Sequence, residues 1–95
     1  MISSDEIESV LNANDIVLIK FSAEWCESCK KYDHYINDLK VHILNIDYDL
    51  NEDIIEEYSI VKLPTVIIYK NKNLMDTIEG FITKTEFVKK LSALS

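Results

Sequence analysis

The sequence predicts an α/β domain in which a small mixed β-sheet is flanked by helices on both faces. Two observations support this prediction. Apolar residues alternate along the chain between helical spacing and short β-branched runs, and two Ser/Thr-x-x-Glu capping boxes mark helix starts. Because the 95 residues include one glycine, one proline and no stretch of linker composition, we expect a single domain over residues 1–95.

The first half of the chain is predicted to hold two helices around a central strand. The capping box of Ser3 and Glu6 starts a helix over residues 4–13. Residues 16–21 are almost all apolar and β-branched, which is typical of a strand buried on both faces. From residue 26 to about residue 40 a second helix is predicted, and its apolar face is Cys29, Tyr32, Ile36 and Leu39.

The second half continues with a strand, a short helix, a hairpin and a last helix. Residues 41–47 form the second predicted strand, and the inward residues of the short helix are Ile54, Ile55 and Tyr58. Strands over residues 65–69 and 74–79 should pair as an antiparallel hairpin, whereas strands joined through a helix should run parallel. The last helix follows a capping box at Thr83, and its predicted buried stripe is Phe87, Val88, Leu91 and Leu94.

The chain is acidic, with a net charge of −7 and no arginine. This charge argues against binding to nucleic acid or to anionic membranes, both of which call for clustered cations. The N-terminus has no cationic region followed by an apolar stretch, so we expect no secretory signal, and no apolar run has membrane-spanning length. We therefore expect an intracellular, cytoplasmic protein.

The only two cysteines and the only tryptophan lie together at residues 25–29, Trp-Cys-Glu-Ser-Cys, where the strand pattern gives way to the helical one. Two thiols at this spacing at a helix start can form a reversible disulfide. In a domain with no other cysteine, such a pair indicates reactive chemistry more often than a structural cross-link.

Zinc binding is an alternative for the cysteine pair, with Cys26, Cys29, His34 and His42 as the ligands. The histidines of a zinc finger usually lie three to five residues apart. Here seven residues and the end of a predicted helix separate them. We expect both histidines at the surface or at a strand edge, and no metal site.

Four segments, in this order of elements, resemble the thioredoxin family. Residues 21–30 resemble the active-site stretch of the family, including the aromatic residue before the first cysteine, and residues 45–47 resemble the end of its next strand. Residues 61–65 resemble the segment that carries its cis-proline, and Gly80 falls where a glycine usually follows the last strand. The resemblance covers nearly the whole chain and implies a thioredoxin fold, here with a minimal four-stranded sheet.

The resemblance implies a thiol–disulfide oxidoreductase that reduces protein disulfides, with Cys26 as the nucleophile and Cys29 as the resolving cysteine. The redox-active Cys26–Cys29 disulfide would be its only cofactor. The expected partners are disulfide-containing proteins and a thioredoxin reductase or another thiol electron donor, and the expected state is a monomer. The alternative is a non-enzymatic thioredoxin-fold module that binds a partner through a patch formed by Trp25 and Pro64.

The chemistry of the two cysteines agrees with these roles. The attacking species in disulfide exchange is a thiolate. In the first turn of a helix, Cys26 faces unpaired backbone N–H groups and the positive end of the helix dipole, both of which stabilise a thiolate. Cys29 lies most of a turn further on over the same face, where its sulfur can reach Cys26 without backbone strain.

The Glu-Ser pair between the cysteines replaces the Gly-Pro pair usual in the family. Glu24 and Glu27 place negative charge near the sulfur and oppose a thiolate, whereas Lys30 and Lys31 favour it. One hypothesis is that the acidic pair raises the pKa of Cys26 and makes the protein a reductant rather than an oxidant. The other is that Glu27 is only a favourable residue for a helix N-terminus.

Lys20 stands where many thioredoxins carry a buried acid that aids proton transfer. Strand alternation places it on one sheet face with Leu18 and Ser22. If Lys20 points toward Cys29, a desolvated amine can accept the proton of that thiol. Alternatively, its stem lies along apolar surface and its charge pairs with an exposed carboxylate.

Pro64 marks a special turn at a strand start, because proline cannot donate to a sheet ladder. The resemblance implies a cis Leu63–Pro64 bond, with the backbone before the proline offered to an extended substrate peptide beside Cys26. Trp25, Leu63, Pro64 and Gly80 would then form a shallow apolar patch around the sulfur. For Trp25, the alternative is ordinary partial packing.

Overall fold

The computed structural model describes residues 2–94 of the chain. In chain order, the elements are α1 (Ser4–Ala13), β1 (Ile16–Ser22), α2 (Glu27–Asp33), a 3₁₀ turn (Ile36–Asp38), β2 (His42–Asp47), α3 (Glu52–Glu57), β3 (Thr65–Lys70), β4 (Asn73–Glu79) and α4 (Lys84–Ser92). This is the predicted order of helices and strands, and the predicted bounds of the first helix are confirmed. Within the described residues, no helix has the length and apolarity needed to cross a bilayer.

The four strands form one mixed sheet in the order β2-β1-β3-β4. β1 runs parallel to β2 and antiparallel to β3, and β3 and β4 form the predicted antiparallel hairpin. Asn71 and Lys72 connect the hairpin with positive φ angles of 50° and 71°, which suits the twist of a two-residue hairpin turn. The predicted four-stranded mixed sheet is therefore confirmed.

β1 is a central strand that carries a core cluster on each of its faces. On one face, α1 and α3 cover Val17, Ile19 and Phe21, with Ile7, Ile54 and Ile55 as their buried contacts. On the other face, α2 and α4 cover Leu18, with Tyr32 and Phe87 as theirs. Alternation along β1 places Lys20 on this second face, beneath α2.

The prediction that one helix runs from residue 26 to about residue 40 is wrong. α2 ends at Asp33, and a 3₁₀ turn at Ile36–Asp38 follows it. The chain tightens at this point because the N–H groups of His34 and Tyr35 donate to carbonyls three residues back. Ile36 is still fully buried. The apolar spacing therefore predicted the burial of this side chain correctly but not the 3₁₀ conformation of its backbone.

The predicted buried stripe of α4 also needs a correction. Phe87 is fully buried, whereas Val88 is 40% exposed. Successive residues of an α-helix point about 100° apart, and the neighbour of a fully buried residue is therefore turned toward the edge of the packed face. Leu91 and Leu94 are half-buried and pack against the same cluster as Phe87.

Replacing Phe87 by alanine should lower the free energy of unfolding by about 3–5 kcal/mol, because the lost ring leaves a cavity beside Tyr32 and Tyr35. The matched control is Val88→Ala, which removes an exposed side chain from the next position and should change that free energy by about 0.5 kcal/mol or less. Urea denaturation followed by circular dichroism measures both values. Equal losses in the two variants would contradict this packing of α4.

Candidate active site

Cys26 and Cys29 lie at the start of α2 and form a disulfide, with their Cα atoms 5.3 Å apart. Cys26 is the N-cap residue, one position before the first turn in which it was predicted, and the helix begins at Glu27. The Cys26 N–H donates to the Ala23 carbonyl at 3.1 Å. This bond closes the turn that joins the end of β1 to α2.

The Cys26 sulfur acts as the capping atom of α2. Its Sγ accepts a hydrogen bond from the Cys29 N–H at 3.2 Å, a role that an oxygen of Ser, Thr, Asp or Asn usually fills. A sulfur that accepts a backbone N–H at a helix N-terminus is stabilised as an anion. The geometry therefore favours a Cys26 thiolate once the disulfide is opened.

The two sulfurs differ in how deeply they are covered. Cys26 is 7% exposed and Cys29 is 2% exposed, and both pack against Ala23 and Leu63. Cys26 is thus the member of the pair that an incoming group meets first.

Pro64 and Gly80 lie next to each other on the Leu63 side of the disulfide. The Leu63–Pro64 peptide bond is cis, and Pro64 is buried. The Gly80 N–H donates to the Pro64 carbonyl at 2.7 Å, and Gly80 has a φ of 86°, a conformation that glycine adopts without strain.

The Tyr32 hydroxyl ties α2 to this loop. It donates to the Gly80 carbonyl at 3.0 Å and accepts from the Ile82 N–H at 3.2 Å. Burial raises the pKa of Tyr32, so its hydroxyl stays protonated and remains a donor. The helix that carries both cysteines is in this way held against the strand end that carries Gly80.

Trp25 is an exposed residue held by one polar contact. Its side chain is 63% exposed, and its indole N–H donates to Asp49 Oδ2 at 2.8 Å. The ring meets Tyr48 edge to face, with centroids 6.3 Å apart. Asp49 and Tyr48 belong to the loop after β2, and the sequence analysis did not single out either of them.

Lys20 is 2% exposed although it carries a charged group. Its Nζ donates to Asp33 Oδ1 at 2.5 Å, and the Asp33 side chain is 53% exposed. Asp33 is the last residue of α2, and together with Cys29 it lines a cavity of about 530 Å³ next to the end of β1. The lysine thus meets a carboxylate of α2 at the edge of the cavity that reaches Cys29.

Asp33 is a site residue that the sequence analysis missed. Two signals pointed to it: Asp33 lies four residues after Cys29, a spacing that places two side chains on one helix face, and it is opposite in charge to Lys20. The sequence analysis placed Lys20 on one sheet face with Leu18 and Ser22 and gave an exposed carboxylate as one of its two possible partners, but it did not identify that carboxylate as Asp33.

The acidic pair near the cysteines lies at the surface. Glu27 is the first residue of α2, and its Oε1 accepts from Lys30 Nζ at 3.3 Å in an exposed ion pair. Glu24 is exposed in the turn before Cys26. The charge of Glu27 is therefore partly balanced by its neighbour on the helix.

The residues of the zinc alternative do not form a site. His34 is the C-cap of α2, His42 begins β2, and both are exposed. Within residues 2–94, no three His, Cys, Asp or Glu side chains are grouped so that they could hold a metal ion.

Nearly the whole chain is similar to known thioredoxins. The thioredoxin family model matches residues 2–93. Thioredoxin 2 of Plasmodium berghei is 39% identical over 90 residues, which make up 88% of this chain and 57% of that protein, so the chain spans less than two thirds of this relative. A thioredoxin of Rickettsia bellii is 33% identical over 88 residues, which make up 86% of this chain and 84% of that protein.

A solved structure of a mutant thioredoxin from Halobacterium salinarum shares the fold. It superposes with a TM-score of 0.88 at 20% identity, covering 96% of this chain and 84% of that one. The predicted thioredoxin fold is therefore confirmed. Since the family model matches nearly the whole sequence and the Rickettsia relative is matched over most of its length, this chain belongs to the thioredoxin family.

Proposed function

We propose that this protein is a thiol–disulfide oxidoreductase that reduces disulfides in protein substrates. The observation that carries the proposal is the Cys26–Cys29 disulfide at the start of α2, with the Cys26 sulfur placed to accept a backbone N–H. Membership of the thioredoxin family supports the same class of reaction. A reducing compartment such as the cytoplasm would keep the dithiol form available.

In this reaction the reduced protein acts through its two sulfurs in turn. The Cys26 thiolate attacks one sulfur of the substrate disulfide, forms a mixed disulfide and releases the other sulfur as a thiolate. The Cys29 thiol then loses its proton, attacks the Cys26 sulfur and releases the second substrate thiol. The substrate gains two electrons and two protons, and a thioredoxin reductase or a low-molecular-weight thiol returns electrons to the protein.

The burial of the two cysteines supports this order of events. Cys26 is the more exposed of the two cysteine residues, and its sulfur caps α2. Cys29 is 2% exposed, so a bulky substrate reaches it only after Cys26 has been joined to that substrate.

The substrate segment would lie on the apolar patch around Cys26. Leu63 packs against the cluster that holds both cysteines, and the next residue, Pro64, is joined to Gly80 through a backbone hydrogen bond. Trp25 adds an exposed ring on the other flank. An extended peptide there would contact these groups while its disulfide approaches the Cys26 sulfur.

The proton of Cys29 would pass to Asp33. The two side chains are one helical turn apart on α2 and line the same cavity, which is large enough for a bridging water. The Lys20 ammonium holds the Asp33 carboxylate in place from below through its 2.5 Å hydrogen bond. In this scheme Lys20 is a positioning residue, and the carboxylate accepts the proton.

Reduction of insulin disulfides driven by dithiothreitol tests the proposed function. The parent protein should accelerate insulin precipitation, and Cys26→Ser should abolish the acceleration because the nucleophile is lost. Cys29→Ser should still attack but should accumulate a mixed disulfide with the substrate, which mass spectrometry detects. A folded parent protein without this activity would contradict the proposal and would favour a binding module that acts through Trp25 and Pro64.

Glu27→Gln tests whether the acid between the cysteines sets the direction of the reaction. The substitution removes a negative charge near Cys26, so the Cys26–Cys29 couple should become more oxidising by about 5–20 mV, as expected for an exposed charge. Redox titration against glutathione measures the shift, and Glu8→Gln on α1 is the control. If Glu27 serves only as a helix N-terminal residue, the stability would fall while the potential stayed at the parent value.

Variants of the Lys20–Asp33 pair test the proton path. Asp33→Asn leaves a buried ammonium without its carboxylate and should destabilise the fold by about 1–3 kcal/mol. The double variant Lys20→Met/Asp33→Asn removes both charges and should recover most of this stability. Because it still lacks the proton acceptor, its release of substrate from the mixed disulfide at neutral pH should be slower by about tenfold or more.

Stopped-flow measurement of that release step across pH separates the two roles of the pair. In the double variant the rate should climb with pH toward the parent rate, since hydroxide can then remove the Cys29 proton directly. A double variant that matches the parent at every pH would show that the ion pair is structural and would contradict the proton path.

A further inference from the structure

On the Trp25 side of Cys26, several apolar and aromatic side chains line the protein surface. Leu63, which packs against the buried cluster that contains Cys26, also lines a hollow of about 190 Å³ with Trp25, Tyr48, Val61 and Lys62. A larger hollow of about 440 Å³ lies on another side of the Trp25 ring. Its apolar wall is Leu50, which is 64% exposed. We call these two hollows and the ring between them the Trp25 surface.

The larger hollow of the Trp25 surface has acidic walls, formed by Glu24, Asp47 and Asp49. The groups that bond to two of these carboxylates are neutral: Asp49 accepts the Trp25 indole N–H, and Asp47 Oδ1 accepts the Asp49 N–H at 2.8 Å. Among the ion pairs formed within residues 2–94, none involves these three acids. Their negative charges therefore act together on whatever enters the hollow.

The lysines close to the cysteines do not cancel this charge. Lys30 is paired with Glu27 on the surface of α2. Lys62 lines the smaller hollow, but its Cε and Nζ atoms lie 3.7 Å from the position that a Cβ on Gly80 would take, so its charge faces the Gly80 flank. The larger hollow is thus lined by acids and by no lysine, and the one cation that lines the smaller hollow, Lys62, has its charged end next to Gly80.

If the protein reduces disulfides as proposed above, this uneven distribution of charge around Trp25 defines a class of substrates. We infer that the Trp25 surface selects protein disulfides whose cysteine lies in an extended segment next to lysine or arginine and an apolar residue. The cation would occupy the acidic hollow, in reach of the Trp25 ring face, and the apolar side chain would lie against Leu50 or Val61. Charge complementarity would act mainly on the rate of encounter, since these carboxylates are near the surface.

Three matched disulfide peptides test this inference. They share one fluorogenic disulfide and one leucine, and they carry two lysines, two serines or two glutamates beside the cysteine. With the reduced protein at low salt, the lysine peptide should react at least about tenfold faster than the glutamate peptide, with the serine peptide between them. At about 0.5 M salt the difference should shrink to within about twofold.

Variants that neutralise two acids of the larger hollow test whether this hollow is the source of the selectivity. Glu24→Gln/Asp49→Asn keeps the shape of the hollow and should reduce the ratio of lysine to glutamate rates by about threefold or more. The control Asp15→Asn/Asp38→Asn removes two charges from exposed positions: Asp15 directly precedes β1, and Asp38 ends the 3₁₀ turn that leads into β2, whereas Cys26 follows the other end of β1. It should leave the ratio close to that of the parent.

Three results would contradict the inference, and one of them would also contradict the proposed function. Equal rates for the lysine and glutamate peptides, with the serine peptide reduced normally, would overturn the inference and leave the proposed function intact. An equal loss of selectivity in the control would overturn it as well, because the net charge of the protein would then be the cause. A reduced protein inert toward all three peptides would contradict the proposed function, and this inference would fall with it.

Discussion

The burial of β1 on both faces is the constraint on which the active site depends. β1 is bonded to β2 on one side and to β3 on the other, and helices cover both of its surfaces. Its last residue therefore has a fixed position, and a single turn closed by the Ala23 carbonyl brings Cys26 to the start of α2. The sulfur meets the backbone N–H of Cys29 because a rigid strand ends where a helix begins.

The same strand carries Lys20, the one charged side chain that is buried within residues 2–94. An ion pair with one buried partner is weak evidence for stability, because the cost of removing the Lys20 ammonium from water can exceed its attraction to the half-exposed Asp33 carboxylate. Lys20 and Asp33 meet beneath the cysteines, and the carboxylate reaches the cavity shared with Cys29. In the proposed reaction, Asp33 accepts the proton of Cys29 and Lys20 holds Asp33 in position. This role would give a physical reason for a lysine in an otherwise apolar strand.

In the proposed reaction, reactivity and selectivity have different structural sources. The backbone at the start of α2 stabilises the thiolate, and any chain with this strand-turn-helix arrangement would do the same. The side chains proposed to select substrates lie on the loops around it: Trp25 with its partner Asp49, and Lys62 between Trp25 and Gly80. The scaffold thus holds the sulfur in place while the loops vary the surface that a partner meets.

Much of the fold and the reacting pair could be predicted from the sequence alone. Helical and strand periodicity, the capping boxes and the Cys-x-x-Cys spacing are local patterns, and each depends on residues only a few positions apart. The end of α2 and the exposure of Val88 differed from prediction, because apolar spacing records burial but not hydrogen bonding or the edge of a packed face. Only the tertiary structure decided the partners of Lys20 and Trp25, which lie 13 and 24 residues away in the chain. Those contacts depend on how α2 and the loop after β2 pack against β1, and no local pattern specifies that packing.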